Sequence, residues 1–193
     1  KLWNAARFAL MNLDAGEKVE PVLGRRELAD RWLASRIREV CVEATQCLEE
    51  MRFNDLAKAI YAFAWNDYCD WYLEVAKVRI SRGGEDAREA RSGILAGLDL
   101  VLRLLHPLMP FLTEEIASHL PLDRGMLIRS PWPRAEEYQE DASAVSDFEA
   151  MRQLVVAIRN LRSEMNVSPG READVTIRAA GESARVAGEQ SPY

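Results

Sequence analysis

The sequence predicts a mainly α-helical fold, and three observations carry that prediction. Apolar residues recur at three- and four-residue steps through most of the 193 residues, which is the period of an amphipathic helix. The composition, 48% hydrophobic and 29% charged with 10 Gly and 8 Pro, is that of a folded globular protein rather than a disordered or repetitive one. A single segment, ADVTIRA at 173–179, alternates in the manner of a strand.

Gly, Pro and capping residues set the predicted helix boundaries. The first helix ends at a loop, DAGEKVEPVLG at 14–24, and Asn54 is predicted to be the N-cap of the third helix. Gly83 ends the third helix and Pro107 ends the fourth. One strand cannot stand alone, so the small α/β unit after the last helix looks incomplete. The helices after the first are predicted over about 28–52, 55–80, 85–106, 110–120 and 143–166.

The first helix raises a question about one aromatic residue. On a helical wheel, Phe8 falls on a polar arc with Lys1, Asn4 and Arg7, away from the arc predicted to face the core. Such a group can hold an unstacked base, because the ring stacks, the amide reads a base edge and the cations meet phosphates. Periodicity supports this role and plain packing of Phe8 about equally. The predicted core arc consists of Leu2, Trp3, Ala6, Leu10 and Leu13.

The third helix carries aromatic side chains on two neighbouring arcs, which predicts a central helix that contacts several others. Asp67 falls within the more apolar arc, and a buried carboxylate is costly unless it is paired. We therefore expect an arginine to meet Asp67 in a core ion pair, which is favoured over a catalytic acid. The second arc comprises Tyr61, Trp65, Tyr68 and Tyr72.

No motif in the sequence indicates catalysis or a cofactor. The two histidines, His106 and His119, have no cysteine at zinc-site spacing, no glycine-rich loop follows a strand, and no serine or cysteine sits in a nucleophile motif. We predict no catalytic residue, no metal and no cofactor within this chain. The three cysteines lack CxxC spacing, which indicates reduced residues and a cytoplasmic protein. No apolar run approaches the ~18 residues of a membrane span.

The charge pattern leaves open a function in binding another molecule, such as a nucleic acid. A net charge of −6 argues weakly against a protein that coats nucleic acid, because coating needs clustered cations. On the last helix, Arg152, Arg159 and Arg162 lie within roughly 80° of one another and could follow a phosphate backbone. A solvated charged face would show the same pattern and is favoured for this stripe on the residues alone.

Several segments occur in the order and at about the spacing of one known family. With them the chain resembles the anticodon-binding region of class I aminoacyl-tRNA synthetases, most closely that of the valyl enzymes. KLWNAARF and IRNLRSEMNVSPG favour the valyl enzymes over the isoleucyl and leucyl ones. The resemblance extends to about Arg178. The segments are KLWNAARF, LADRWLASRI, FNDLAKAIYAFAWNDYCDWYLEVAK, LVLRLLHPLMPFLTEEI, SPWP and AIRNLRSEMNVSPG.

The resemblance implies a domain organisation. Residues 1–122 would form the anticodon-binding helical bundle, 123–142 a linker, and 143–193 a long helix with the start of a small C-terminal α/β subdomain. The catalytic and editing domains would precede Lys1, and a coiled-coil arm would follow Tyr193. Taken alone, this chain is therefore expected to be catalytically inactive. The whole enzyme would be a valine-tRNA ligase that uses ATP with Mg²⁺.

The resemblance also implies partners and residues. The expected partners are the anticodon stem-loop of a valine tRNA and the catalytic domain of the same enzyme, in a cytoplasmic monomer with no membrane contact. Because KLWNAARF lies near the anticodon in the family, the roles proposed for Lys1, Asn4, Arg7 and Phe8 become favoured over plain packing. The IRNLR block adds weaker candidates for backbone contact or domain packing, Arg159 and Arg162.

Three alternatives stay open at this stage. The chain could be the corresponding domain of the isoleucyl or leucyl enzyme. It could be a helical bundle used only for protein contact, with the Phe8 face binding a partner helix. It could also be a packing domain whose arginines meet the catalytic domain, in which case it would bind no tRNA alone.

Overall fold

The computed structural model describes residues 1–13, 19–122 and 125–168, together with the single positions 171, 176 and 188. Helices account for most of them, which confirms the mainly α fold. Apart from Thr176, the predicted strand at 173–179 lies outside the described residues. The helices are α1 (Leu2–Met11), α2 (Leu28–Glu49), α3 (Phe53–Ala62), α4 (Leu73–Arg82), α5 (Gly84–Leu105), α6 (Pro110–His119) and α7 (Ala142–Glu164).

The chain divides into two compact units, Lys1–Asp141 and Ala142–Tyr193. The first unit holds α1 to α6, and the second begins with α7. The finer division predicted from the sequence, with a linker at 123–142, stays a prediction. Within the first unit, residues 125–141 form two short 3-10 turns, Leu127–Arg129 and Ala135–Glu137, and contact α2 through hydrogen bonds such as that from Arg38 to the Ala135 carbonyl oxygen.

The third predicted helix differs from a plain α-helix. α3 and α4 are the ends of one continuous helix whose middle, Phe63–Tyr72, has π-helical hydrogen bonding. The Asn54 N-cap is wrong, because the Leu56 N–H already donates to the Arg52 carbonyl oxygen at 3.0 Å and the cap position is therefore Arg52. Apolar periodicity could not identify the π segment, since it tests a 3.6-residue period alone.

The continuous helix Phe53–Arg82, made of α3, the π segment and α4, is called the central helix below. The core of the first unit lies between α2, the central helix and α5. Glycines of α5 make room for two tyrosines: a Cβ at Gly97 would lie 2.5 Å from Cε2 of Tyr68, and one at Gly93 would lie 1.8 Å from the Tyr72 hydroxyl. Each hydroxyl donates a hydrogen bond of 2.7 Å, from Tyr68 to the Ile94 carbonyl oxygen and from Tyr72 to Asp30 Oδ1. Apolar spacing predicts core positions along both α2 and α5, and Met51 is an exception at 76% exposed, because α2 ends before it at Glu49. The predicted positions that are buried include Trp32, Ile37, Cys41, Cys47, Ile94, Leu95, Leu98 and Leu102.

A buried ion pair joins α2 to α4. Arg79 and Asp30 are both fully buried, and Nη1 of Arg79 lies 2.8 Å from Oδ1 of Asp30. Arg79 Nε also donates to Asp86 at 2.6 Å. Burial raises the pKa of the Asp30 carboxyl, and the Arg79 cation offsets this only in part. Burial lowers the pKa of the Arg79 guanidinium, but the carboxylates of Asp30 and Asp86 raise it by more. Arg79 is therefore positively charged.

The ion pair predicted for Asp67 is confirmed. Asp67 is 5% exposed, and Arg36 Nε donates to its Oδ2 at 3.0 Å. Arg36 lies on α2 and Asp67 in the π segment, so the pair links the two elements. A structural role explains this carboxylate without catalysis.

The predicted core arc of α1 is wrong for its two largest members. Trp3 and Leu10 are 48% and 37% exposed, whereas the buried residues are Ala5, Ala6 and Ala9. Ala6 belongs to the predicted arc, whereas Ala5 and Ala9 lie outside it. The prediction followed the largest apolar side chains, but α1 contacts α5 and buries only alanines, whose small size permits close approach of helices. The larger apolar side chains consequently face outward.

Candidate nucleic-acid interface

The face of α1 predicted to bind RNA lies beside the central helix. Lys1 Nζ is 2.5 Å from Oδ1 of Asp70 and 3.8 Å from the centroid of the Trp65 ring. Seven residues along α1, the ring centroid of Phe8 lies 5.5 Å from Lys77 Nζ. α1 and the central helix therefore run in the same direction along this edge.

Phe8 is half-buried, and the other predicted residues of α1 are more open. Lys1, Asn4 and Arg7 are exposed. The cation next to Phe8 comes from Lys77 of α4, so the structure brings a further positive charge to the ring. This arrangement suits a base laid against the Phe8 ring with phosphates near the lysine. Of loop 14–24, against which Phe8 could instead pack, the structure describes only the residues from 19 onward.

The Lys1 ammonium already has a partner. Its ion pair with Asp70 is solvent-accessible, with the side chains 35% and 46% exposed. Exposed pairs contribute only about 0–1 kcal/mol, so a phosphate could exchange with the Asp70 carboxylate at little cost. A phosphate contact by Lys1 is therefore compatible with the observed pair.

The two arginines predicted on α7 differ in their surroundings. Arg159 is exposed, whereas Arg162 is half-buried and its Nη2 donates to the carbonyl oxygens of Ser168 and Arg171 at 2.9 and 2.6 Å. Arg162 therefore ties down the chain that follows the helix, which is a structural role. On the same helix, Arg152 pairs with Glu149 at 3.2 Å.

A partly exposed aromatic pair at the α1 edge was not among the predicted site residues. Tyr61 and Trp65 stack with ring centroids 5.1 Å apart and planes inclined by 21°. Tyr61 is 57% exposed. In the sequence, only their four-residue spacing on the second aromatic arc could have indicated this pair. Tyr68 and Tyr72 lie on the same arc, however, and are buried. Sequence periodicity could not separate the exposed half of the arc from the buried half.

A groove runs along the opposite edge of α1. Its volume is about 230 Å³, and it is lined by Trp3, Leu10 and Arg7 of α1 and by Ile116 and His119 of α6. The lining is mostly apolar, so this edge differs in chemistry from the edge that holds Lys1 and Phe8. The two edges are separate candidate surfaces, and Arg7 lies at the groove edge rather than beside Phe8. Of the two candidates for the base-edge contact, Asn4 and Arg7, this position makes Arg7 the weaker one.

Side chains with metal-binding or nucleophilic potential are occupied in other ways. His106 Nδ1 is 2.8 Å from the Thr113 hydroxyl, and His119 Nε2 is 3.1 Å from Glu115. Burial raises the pKa of the Cys41 thiol to about 12 and also raises that of Cys69, which keeps both protonated. In the part of the chain that the structure describes, no three His, Cys, Asp or Glu residues are grouped to hold a metal ion. No described helix is long and apolar enough to cross a membrane.

The sequence of this chain matches one family of domains. The family model of the anticodon-binding domain of tRNA ligase matches residues 30–177, and the chain belongs to that family. Among individual relatives, it is 38% identical over 182 residues to the valine–tRNA ligases of Bacillus licheniformis and of Bacillus subtilis. It is 40% identical over 188 residues to the valine–tRNA ligase of Chromobacterium violaceum.

The matches differ in how much of each protein they cover. Each of these three alignments covers 93% of this chain, but only 20 to 21% of the relative. The chain thus spans about a fifth of the length of the curated relatives it matches. The matched residues 30–177 include Arg159 and Arg162 but not α1, so the Phe8 site lies outside the family model.

Proposed function

We propose that this chain is the anticodon-binding part of a valine–tRNA ligase, and that it binds the anticodon stem-loop of a valine tRNA. The observation that carries the proposal is the family membership combined with relatives named as valine–tRNA ligases over 93% of the chain. The catalytic domain of the same enzyme would use ATP with Mg²⁺ to attach valine to the distant end of the tRNA. The enzyme is proposed to be a cytoplasmic monomer.

The bundle would contribute by positioning. A tRNA held in one register brings its acceptor end to the catalytic site, which replaces a free encounter with an oriented one. Phe8 would stack on an anticodon base, Asn4 or Arg7 would contact a base edge or sugar, and Lys1 would meet a phosphate after leaving Asp70. Arg159 would add a backbone contact; Arg162 is a weaker candidate, because its guanidinium holds the chain after α7.

Anticodon recognition can be measured with two RNAs. A mobility-shift titration would compare a valine tRNA with the same tRNA carrying a substituted anticodon, each at about 50 mM and about 200 mM salt. We expect tighter binding of the valine tRNA, and weaker binding of both RNAs at the higher salt because phosphate contacts release counterions. Equal affinity for the two RNAs would remove the claim of anticodon specificity.

Replacing Phe8 tests the role of its ring. Phe8→Ala should weaken tRNA binding about tenfold, since base–aromatic stacking contributes roughly 1–3 kcal/mol. Phe8→Leu is the matched control for packing, because it fills a similar volume without a flat ring. If the ring stacks on a base, both variants lose affinity. If Phe8 only packs, Phe8→Leu should bind like the unmodified chain.

The groove on the other edge of α1 favours a second candidate, a contact with protein. Trp3 and Leu10 are exposed there beside Ile116 and His119, which would suit an amphipathic helix. Salt distinguishes the two candidates, since binding in an apolar groove should change little where RNA binding falls steeply.

A further inference from the structure

The exposed end of the Tyr61–Trp65 stack has the features of a binding position. One neighbour of the Trp65 ring is Lys1 Nζ, at 3.8 Å from its centroid, and the other is the Tyr61 ring, at 5.1 Å. A cation and an aromatic ring therefore hold the indole in place. Tyr61 ends the stack and is 57% exposed, so much of its ring meets solvent.

Charge next to Tyr61 fits a polyanion. Lys58 lies one helical turn before Tyr61 on α3, and its side chain is 71% exposed. Its ion pair with Asp55 is long, at 3.7 Å, and accessible to solvent, so little energy opposes its exchange for a phosphate. With Lys1 on the other side of Trp65, exposed cations flank the stack at both ends.

We propose that Tyr61 is a base-stacking position for an unpaired RNA nucleotide, with Lys58 meeting the adjoining phosphate. The Trp65 ring pre-orders Tyr61, so a base can extend an existing stack without first immobilising the phenol ring. The identification of this RNA as an anticodon hairpin rests on the proposed function. Stacking on an unpaired base follows from the exposed ring and the flanking cations.

This position is distinct from Phe8. Phe8 lies against Lys77, and the helix rises roughly 24 Å between Tyr61 and Lys77 at about 1.5 Å per residue. Stacked bases of one strand are only about 3.4 Å apart, so the two rings cannot serve the same base or neighbouring stacked bases. Their effects on binding should therefore add.

The test uses the 193-residue chain, with a valine anticodon hairpin and a stemless RNA of the same loop sequence as probes. Fluorescence anisotropy would follow both RNAs with the unmodified chain, Tyr61→Ala, Tyr61→Phe and the control Phe111→Ala, which removes a 91% exposed ring on α6. We expect Tyr61→Ala to weaken binding about tenfold, which corresponds to roughly 1.4 kcal/mol of stacking. Tyr61→Phe and Phe111→Ala should bind like the unmodified chain, and the combined Phe8→Ala/Tyr61→Ala variant should lose the product of the two fold-changes.

The outcomes separate this inference from the proposed function. If the unmodified chain prefers the hairpin and Tyr61→Ala binds equally well, the stacking position is wrong while anticodon binding stands. If the chain does not prefer the hairpin to the stemless RNA, but Tyr61→Ala weakens both, stacking is supported and hairpin selection fails. Binding of neither RNA by the unmodified chain would overturn both.

Discussion

One continuous helix carries two stacked aromatic pairs at the same four-residue spacing, and their surroundings are opposite. Tyr68 and Tyr72 have centroids 6.2 Å and planes 19° apart, and both are fully buried. Tyr61 and Trp65 stack in nearly the same geometry, yet Tyr61 is more than half exposed. The spacing therefore sets the stacking, whereas the neighbouring helix decides whether a pair belongs to the core or to a surface.

The difference lies in what faces each pair. Opposite the buried pair, α5 carries Gly93 and Gly97, which leave space for the tyrosine rings. The Tyr72 hydroxyl then reaches Asp30 and joins its ion pair with Arg79. Burial raises the pKa of the Tyr72 phenol well above its ordinary value, so the hydroxyl stays a neutral donor. Substitutions on the buried side should therefore change stability, and substitutions on the exposed side should change binding.

The largest effect on stability should come from Arg79→Met. Removing the cation leaves the Asp30 carboxyl buried without its charge partner, and breaking a buried pair costs about 3–5 kcal/mol. Urea denaturation at neutral pH would measure the loss in the free energy of unfolding. A loss below about 1 kcal/mol would show that the buried network contributes little.

The pH dependence of the same variant gives an independent check. Burial already raises the pKa of Asp30 in the folded state, and loss of Arg79 should raise it further. A raised pKa means that the Asp30 carboxyl binds its proton more tightly in the folded than in the unfolded state. The resulting stabilisation is fully present below the unfolded pKa near 3.8, and it is lost as pH rises through the folded pKa. The double variant Asp30→Asn/Arg79→Met is the control, because it has no carboxyl to titrate there. The gap in stability between the two variants should widen with rising pH.

Gly97→Ala should have the next largest effect. The new Cβ would lie 2.5 Å from Cε2 of the buried Tyr68 ring, and overpacking of this kind costs about 1–3 kcal/mol. The change should destabilise even though Ala is the better helix former by about 1 kcal/mol. Gly125→Ala is the control, because a Cβ at that position meets nothing within 4 Å. A Gly97→Ala variant as stable as its parent would mean that the buried pair has room to move.

Much of this fold could be predicted from the sequence, because long amphipathic helices show their period directly. Most core positions of α2 and α5 and the arginine partner of Asp67 were predicted correctly, but Met51 is exposed because α2 ends before it. The buried face of α1 was predicted only in part: Ala6 is buried as predicted, but Ala5 and Ala9 are buried outside the predicted arc and Trp3 within it is exposed. The π segment was not predicted either, because it is defined by backbone hydrogen bonds, which the pattern of apolar residues does not report.

The candidate interface was predictable in part. KLWNAARF pointed to Lys1 and Phe8, and the structure adds Lys77 and Asp70 as neighbours that only the fold could bring to them. Tyr61 could not be singled out from the sequence, because its arc looks uniform along the helix. The sequence places residues on an arc, and only the packing of neighbouring helices shows where along the helix that arc is covered.

The smallest effects should come from removing single hydroxyl groups, and they test the comparison most directly. Tyr72→Phe should cost about 1.5 kcal/mol, because a buried carboxylate loses a donor, and Tyr68→Phe about 1 kcal/mol, because the Ile94 carbonyl oxygen loses one. Tyr61→Phe should stay within about 0.5 kcal/mol, as expected for an exposed position. Thermal unfolding of the three variants would rank them. If Tyr61→Phe destabilised the chain as much as Tyr72→Phe, the Tyr61 hydroxyl would be tied to the fold and its ring would not be free to receive a base.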